Sequence, residues 1–229
     1  MGMMVSRGSG RRGLFVVVVA GSLLFGVTGC AEEGGESGVP KDYKVVAGAQ
    51  LCGGGAVSAD AARALKVITG SSRFEASAER YTVARAAADL VEEFPASTVT
   101  KDICRVYTPI GTPDFDLRIT WRLAHDAPTD DPAAPKFTVL KMGEETLAAA
   151  DMAYVRFACS SERLSQSSGV AHLDIGVEHW AVPTEPEGDV QELKDAYATV
   201  AHSFSLAMAR ELGCEKDGGL PDRPVLEPA

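Results

Sequence analysis

The segment DFDLRITWRLAH, residues 114–125, alternates between apolar and polar side chains. Successive side chains of a strand point to opposite faces, so the alternation predicts a strand of a half-solvated antiparallel sheet. The apolar side chains are expected to face the core: Phe115, Leu117, Ile119, Trp121 and Leu123. The polar side chains are expected to face solvent: Asp116, Arg118, Thr120 and Arg122.

Other patterns along the chain define the fold class. Four further segments have strand character: 103–107, 136–142, 153–159 and 170–182. Apolar residues at helical spacing predict three helices, over 58–70, 78–94 and 189–212. Residues 143–145 are expected to lead into a short helix or turn. Because the strands follow one another without helices between them, we predict an α+β fold. It has an antiparallel sheet of four to five strands and helices packed mainly on one face.

The cysteines predict two disulfides. The chain has five cysteines, and Cys30 belongs to the N-terminal signal described below, which leaves Cys52, Cys104, Cys159 and Cys214. An even number of cysteines outside the cytoplasm indicates disulfide bonds. Three pairings exist, and we favour Cys52–Cys104 with Cys159–Cys214, because sequential pairing cross-links each half of the domain. A zinc site is disfavoured, since no two cysteines have C-x₂₋₄-C spacing.

The N-terminus has the organisation of a bacterial export signal. Three arginines and no acidic residue precede an uncharged segment, 14–27, that is too short to span a bilayer comfortably. The sequence VTGC, residues 27–30, then resembles the lipobox of bacterial lipoproteins. That resemblance implies cleavage before Cys30, acylation of its thiol and anchoring to the extracytoplasmic face of the cell membrane. The adjacent Arg11 and Arg12 leave twin-arginine export open beside the general route.

Composition divides the chain into four parts. Residues 1–29 are the predicted signal peptide, and 30–48 are the acylated cysteine and a flexible polar tether. Residues 49–214 form a single α+β ectodomain. Residues 215–229 are predicted to be a disordered tail, because they are rich in Gly, Pro and charged side chains.

Net charge restricts the partners. The chain carries −10, and removal of the three signal-peptide arginines leaves −13. An acidic domain is repelled by nucleic-acid phosphates and by anionic lipid headgroups. We therefore expect no nucleic-acid partner, and membrane contact through the N-terminal acyl chains.

Candidate ligand-binding residues lie on the outward side of the 170–182 strand. They are His172, Asp174 and Trp180. Arginines occupy outward positions on neighbouring strands, so cross-strand ion pairs are the competing interpretation of this face: Arg118, Arg122 and Arg156. The histidines lack metal-ligand spacing, so neither a metal nor another cofactor is expected.

No local motif indicates catalysis. The serines of the segment CSSERLSQSSG, residues 159–169, lack a G-x-S-x-G turn, and the glycines at 53–55 lack the Lys-Ser/Thr of a phosphate-binding loop. We therefore favour a binding or accessory module that holds a small molecule, lipid or envelope protein between sheet and helices. The alternative is a cell-envelope hydrolase whose site is assembled from distant segments.

The cysteine frame carries one further resemblance. LCGG at 51–54, SADAARAL at 58–65, DICRVY at 102–107 and a later strand-borne cysteine resemble the uncharacterised secreted lipoproteins common in actinobacteria. The resemblance covers most of the mature domain. It implies an extracytoplasmic location and disulfides, and it implies no activity.

Overall fold

A computed structural model describes residues 41–97, 99–124, 133–164, 170–180 and 186–229. The predicted signal peptide, Cys30 and the first part of the predicted tether lie outside these residues. Among the helices that the structure does describe, none combines the length and the apolarity needed to cross a bilayer.

The described chain alternates short strands and helices before it enters a long run of strands. In order, the elements are β1 (Val45–Ala47), α1 (Ala59–Thr69), β2 (Arg73–Glu75), α2 (Val83–Glu93), β3 (Lys101–Tyr107), β4 (Asp116–Ala124), β5 (Thr138–Leu140), β6 (Glu145–Ala148), β7 (Met152–Cys159), β8 (Ala171–His179) and α3 (Val190–Leu212). Short 3-10 turns occupy Gly48–Gly53, Glu162–Leu164 and Glu215–Gly219.

The predicted α+β class is confirmed. Six strands form one antiparallel sheet in the order β3-β4-β8-β7-β6-β5, and β1 pairs with β2 in a small second sheet. The sheet exceeds the four to five strands predicted because β6 lies where we expected a short helix or turn. Gly143 turns the chain with φ 64°, and Thr146 and Ala148 then alternate inward against β7. Only glycine fits this turn, since a Cβ there would collide with the Arg156 carbonyl oxygen.

The helices cover one face of the sheet, as predicted. α3 packs on β6, β7 and β8, while α1 and α2 pack against α3. The alternation in β4 places Leu117, Ile119 and Trp121 in the core, and Trp121 is only 1% exposed. Tertiary burial of this continuous apolar face drives folding, because each large apolar side chain contributes roughly 1.5–3 kcal/mol.

Helix boundaries follow from capping residues. The Ser58 side chain accepts a hydrogen bond from the Ala61 N–H at 3.1 Å, and Gly70 ends α1 with φ 71°. α2 begins five residues later than predicted, because the Thr82 side chain caps the helix by accepting from the Arg85 N–H.

Both favoured disulfides are present. Cys52–Cys104 joins the Gly48–Gly53 turn to β3, with Cα atoms 5.7 Å apart. Cys159–Cys214 joins the end of β7 to the residue after the C-cap of α3, with Cα atoms 4.9 Å apart. All four cysteines are buried.

The two domain boundaries differ from those predicted. Residues 215–229, predicted to be disordered, are held on the domain: Leu220 is 7% exposed in the core, and Pro228 forms a β-bridge with Leu140. The reason is that the disulfide at Cys214 fixes the start of this segment beside an apolar surface. The predicted tether also ends early, because β1 already pairs with β2.

Candidate functional site

The candidate site is the side of the six-stranded sheet opposite the helices, here called the outer face. Strand register places its side chains in three rows across β4, β8 and β7. The rows are Arg118, Glu178 and Met152; Thr120, Gly176 and Tyr154; and Arg122, Asp174 and Arg156.

Asp174 is the centre of the third row. Arg156 donates from Nε to Asp174 Oδ1 at 2.6 Å and from Nη2 to Oδ2 at 3.1 Å. Arg122 donates from the opposite strand to the same carboxylate. The hydrogen bond from Arg156 to Asp174 raises the pKa of the guanidinium. The predicted cross-strand ion pairs are therefore present, and they hold both arginines in defined positions.

A second ion-pair group lies towards β3. Asp102 accepts from Arg118 Nε and from Arg105 Nε, the latter at 2.9 Å. Arg118 Nη1 also lies 3.5 Å from Glu178 Oε1. The hydrogen bond to Asp102 is the main reason that the pKa of Arg105 is raised.

Trp180 stands at the end of this second group. Its indole is 49% exposed, and the guanidinium carbons of Arg118 and Arg105 lie 4.3 and 5.6 Å from its ring centroid. The backbone N–H of Trp180 donates to the Asp116 carbonyl oxygen at 3.0 Å, which fixes the backbone beneath the ring. These cation–π contacts orient an aromatic surface that remains open to solvent.

A groove of about 470 Å³ runs between these groups; we call it the outer groove. Its floor is formed by Gly176, where a Cβ would stand 2.9 Å from Thr120 Oγ1 and 3.0 Å from Tyr154 Cε1. Glycine therefore lets the Tyr154 ring lie close against the strand. A smaller depression of about 160 Å³ borders the outer groove and shares Arg122, Tyr154 and Asp174 with it.

The pKa values of two titratable groups of this face are raised by burial. Burial, with the nearby charges of Glu178 and Asp151, raises the pKa of the Tyr154 hydroxyl, so that it stays a hydrogen-bond donor. Burial likewise raises the pKa of Asp116. Within the described chain, Asp116 Oδ1 is buried without a hydrogen-bond partner.

The structure brings only two of the three predicted ligand residues together. Asp174 and Trp180 border the outer groove, whereas His172 lies nearer the other end of β8 with Nδ1 2.7 Å from Glu144 Oε2. In the described segments no serine side chain is hydrogen-bonded to His172. No group of three or more His, Cys, Asp or Glu in those segments is arranged to hold a metal ion.

A second cavity, of about 510 Å³, lies where α1 and α3 meet the ends of β4 and β8. This is the place between sheet and helices where a ligand was expected. Phe115 and His179 stack there with ring centroids 4.1 Å apart. Much of its charged lining is acidic, from Asp114, Asp151 and Glu187, and so offers few hydrogen-bond donors.

Sequence reasoning missed Tyr154 and Gly176. The alternation of β7 could have indicated Tyr154, because the residues on either side of it, Ala153 and Val155, are apolar and face the core, where both are fully buried. Gly176 carried no local signal, since its role depends on which strands flank it. Comparison with known proteins adds no further candidate: no family model, curated protein or solved structure matches the chain.

Proposed function

We propose that this protein is a lipid-anchored lipoprotein of the extracytoplasmic membrane face, of the kind found in actinobacteria, and that it acts as a binding or accessory module. The binding surface is the outer face. The observation that carries the proposal is the outer groove, where a half-exposed tryptophan stands beside oriented arginines and carboxylates.

The groove favours a polar small molecule, or the polar part of an envelope molecule, over a lipid tail. Arginine and carboxylate side chains make up much of its lining, and its volume falls in the range of roughly 300–1,000 Å³ typical of ligand pockets. Ion pairs hold those side chains in place before a ligand arrives, which reduces the ordering entropy lost on binding.

Native mass spectrometry of the full chain, purified from bacterial membranes in detergent, tests the binding function. We expect extra mass under native conditions that disappears on denaturation and is reduced in Trp180→Ala. Val190→Ala is the matched control, since Val190 is 55% exposed at the start of α3, on the helical side of the sheet. A bare mass for the unmodified chain, or extra mass unchanged by Trp180→Ala, would contradict the proposal.

Membrane fractionation tests the anchor. Cys30→Ala is expected to release the protein from membranes or to leave it as an unprocessed precursor, because no thiol remains for acylation. Ser37→Ala, in the predicted tether, is the control and is expected to remain membrane-bound. Unchanged membrane retention of processed Cys30→Ala would rule out this anchor.

A further inference from the structure

We propose that the outer groove binds an uncharged saccharide chain. This inference rests on the proposed function, because it assigns a ligand class to the same binding surface. It follows from the charge balance of the outer face, its mixture of donors and acceptors, its exposed indole and its extension along the sheet.

The first argument is charge balance. Four arginines of the outer face form ion pairs with four carboxylates: Arg105, Arg118, Arg122 and Arg156 with Asp102, Glu145, Asp174 and Glu178. An anionic ligand would have to compete with these carboxylates, and a cationic ligand with the arginines. An uncharged ligand leaves every pair intact and avoids that desolvation cost.

The second argument is hydrogen-bonding capacity. Arg122 is 51% exposed and makes one hydrogen bond to Asp174, while a guanidinium has five N–H donors. Glu178, at the Arg118 end of the same groove, supplies acceptor oxygens, and the neutral Tyr154 hydroxyl supplies both functions. The lining of the groove therefore combines donors and acceptors. A sugar hydroxyl satisfies both, because it donates one hydrogen bond and accepts two.

The third argument is the Trp180 ring. Half of this large side chain is open to solvent although it is held by two arginines. The π-system of an indole carries negative charge density on its faces, so the part of the Trp180 ring that the two guanidiniums leave exposed attracts the weakly positive C–H groups on the flat side of a sugar ring. A saccharide thus satisfies the polar and the apolar parts of the groove together.

The fourth argument concerns length. The outer groove continues past Tyr154 into the neighbouring depression, and both lie on the open side of the sheet. Arg122, Tyr154 and Asp174 border both spaces, so adjacent units of one chain can contact the same side chains. This continuity favours an oligomeric or polymeric saccharide over a single sugar.

Oligosaccharides matched in backbone and differing in charge provide the test. The full chain is titrated with neutral oligomers of glucose, mannose, arabinose and N-acetylglucosamine, with cationic glucosamine oligomers and with sulfated oligomers. Binding is followed by calorimetry and tryptophan fluorescence. The chain has two tryptophans and Trp121 is buried, so a change in emission reports Trp180.

We expect a neutral oligomer to bind and to change the Trp180 emission. Trp180→Ala is expected to weaken that affinity by about tenfold or more, and Arg122→Gln by about fivefold. Arg122→Gln leaves Asp174 bonded to Arg156, so it keeps the central ion pair. Val190→Ala is expected to bind as the unmodified chain does.

The outcomes separate the two proposals. Failure of every neutral oligomer to bind overturns the saccharide inference. The proposed binding function is then decided separately, by native mass spectrometry. Preference for a charged oligomer that is lost in Trp180→Ala also overturns the inference, while it supports the groove as the binding surface. Neutral binding that survives both groove variants contradicts both proposals.

Discussion

At the scale of single residues, the Asp174 carboxylate compensates the charges of two arginines in the middle of the sheet. Its side chain is 8% exposed and accepts hydrogen bonds from arginines on both flanking strands. Asp174→Asn removes the compensating charge and leaves Arg122 and Arg156 beside each other. We expect the free energy of unfolding to fall by about 2 kcal/mol, measured by urea denaturation.

A surface ion pair provides the control for that experiment. Asp222 pairs with Arg210 but is 92% exposed, so Asp222→Asn is expected to change the unfolding free energy by less than about 0.5 kcal/mol. Equal effects of the two substitutions would show that the ion pairs of Asp174 contribute no more to the unfolding free energy than a solvent-exposed ion pair.

His202 makes stability depend on pH. It is 3% exposed on α3, and its Nε2–H donates to the Pro221 carbonyl oxygen at 2.7 Å. Burial lowers its pKa although this hydrogen bond favours the charged form. The unfolded chain therefore takes up a proton at higher pH than the folded chain. The contribution of His202 to stability is lost as the pH falls through roughly 6.5 towards its lowered folded pKa.

Replacing this histidine tests the direction in which stability changes with pH. Unfolding free energies of the unmodified chain and of His202→Gln are compared at about pH 8 and about pH 5. We expect His202→Gln to lose less stability on acidification, with a difference in slope of at most about 1.4 kcal/mol per pH unit. At about pH 8 the histidine is neutral in both states, so the difference between the two chains there measures the packing effect alone. Parallel plots of unfolding free energy against pH would contradict the role given to His202.

At the scale of elements, Ser203 attaches the start of α1 to α3. Its Oγ accepts from the Ser58 N–H at 2.9 Å and donates to the Ala56 carbonyl at 2.8 Å. Ser203→Ala leaves both backbone groups without these partners in a largely buried place. We expect a loss of about 1–3 kcal/mol in unfolding free energy, measured by urea denaturation.

The neighbouring Ser205 is a matched control. It is also buried on α3, but its Oγ donates to Ala201 within the same helix, at 2.8 Å. Ser205→Ala leaves that carbonyl in its helical hydrogen bond, so we expect a loss below about 1 kcal/mol. A larger loss for Ser205→Ala than for Ser203→Ala would contradict the role given to the α1–α3 contact.

At the scale of the whole molecule, the Cys159–Cys214 disulfide closes the domain. It spans 55 residues and ties the end of β7 to the segment that carries Leu220 into the core. Replacing both cysteines by serine is expected to lower the unfolding free energy by about 2–4 kcal/mol, because the unfolded chain regains conformational freedom. Urea denaturation measures the loss, and unchanged stability would contradict it.

Thiol counting provides an independent check of the cysteine assignment. The unmodified chain, denatured without reductant and treated with an alkylating agent, is expected to take up no label at the four disulfide cysteines. Label at any of these positions would contradict the pairing.

Much of the fold could be predicted because strand phase and helix capping are local. The alternation in β4 identified its buried face, and Ser58, Gly70 and Gly213 marked helix ends at the correct positions. The α2 start was misplaced because the Thr82 cap overrode an apolar pattern that continued upstream. The 215–229 segment was misread because its polar composition hid Leu220, whose burial depends on a distant surface.

The sequence by itself determined which side chains face the core and which point outward, since these properties follow from local period. It favoured one of three disulfide pairings, and the structure has that pairing. Only the tertiary structure decided what those outward residues form. The order β4-β8-β7 puts Arg122, Asp174 and Arg156 in one row although they are far apart along the chain. It also sets Tyr154 against Gly176 and separates His172 from Trp180. The physical reason is that strand order depends on long-range pairing and on the fit of the whole apolar face, which no local pattern records.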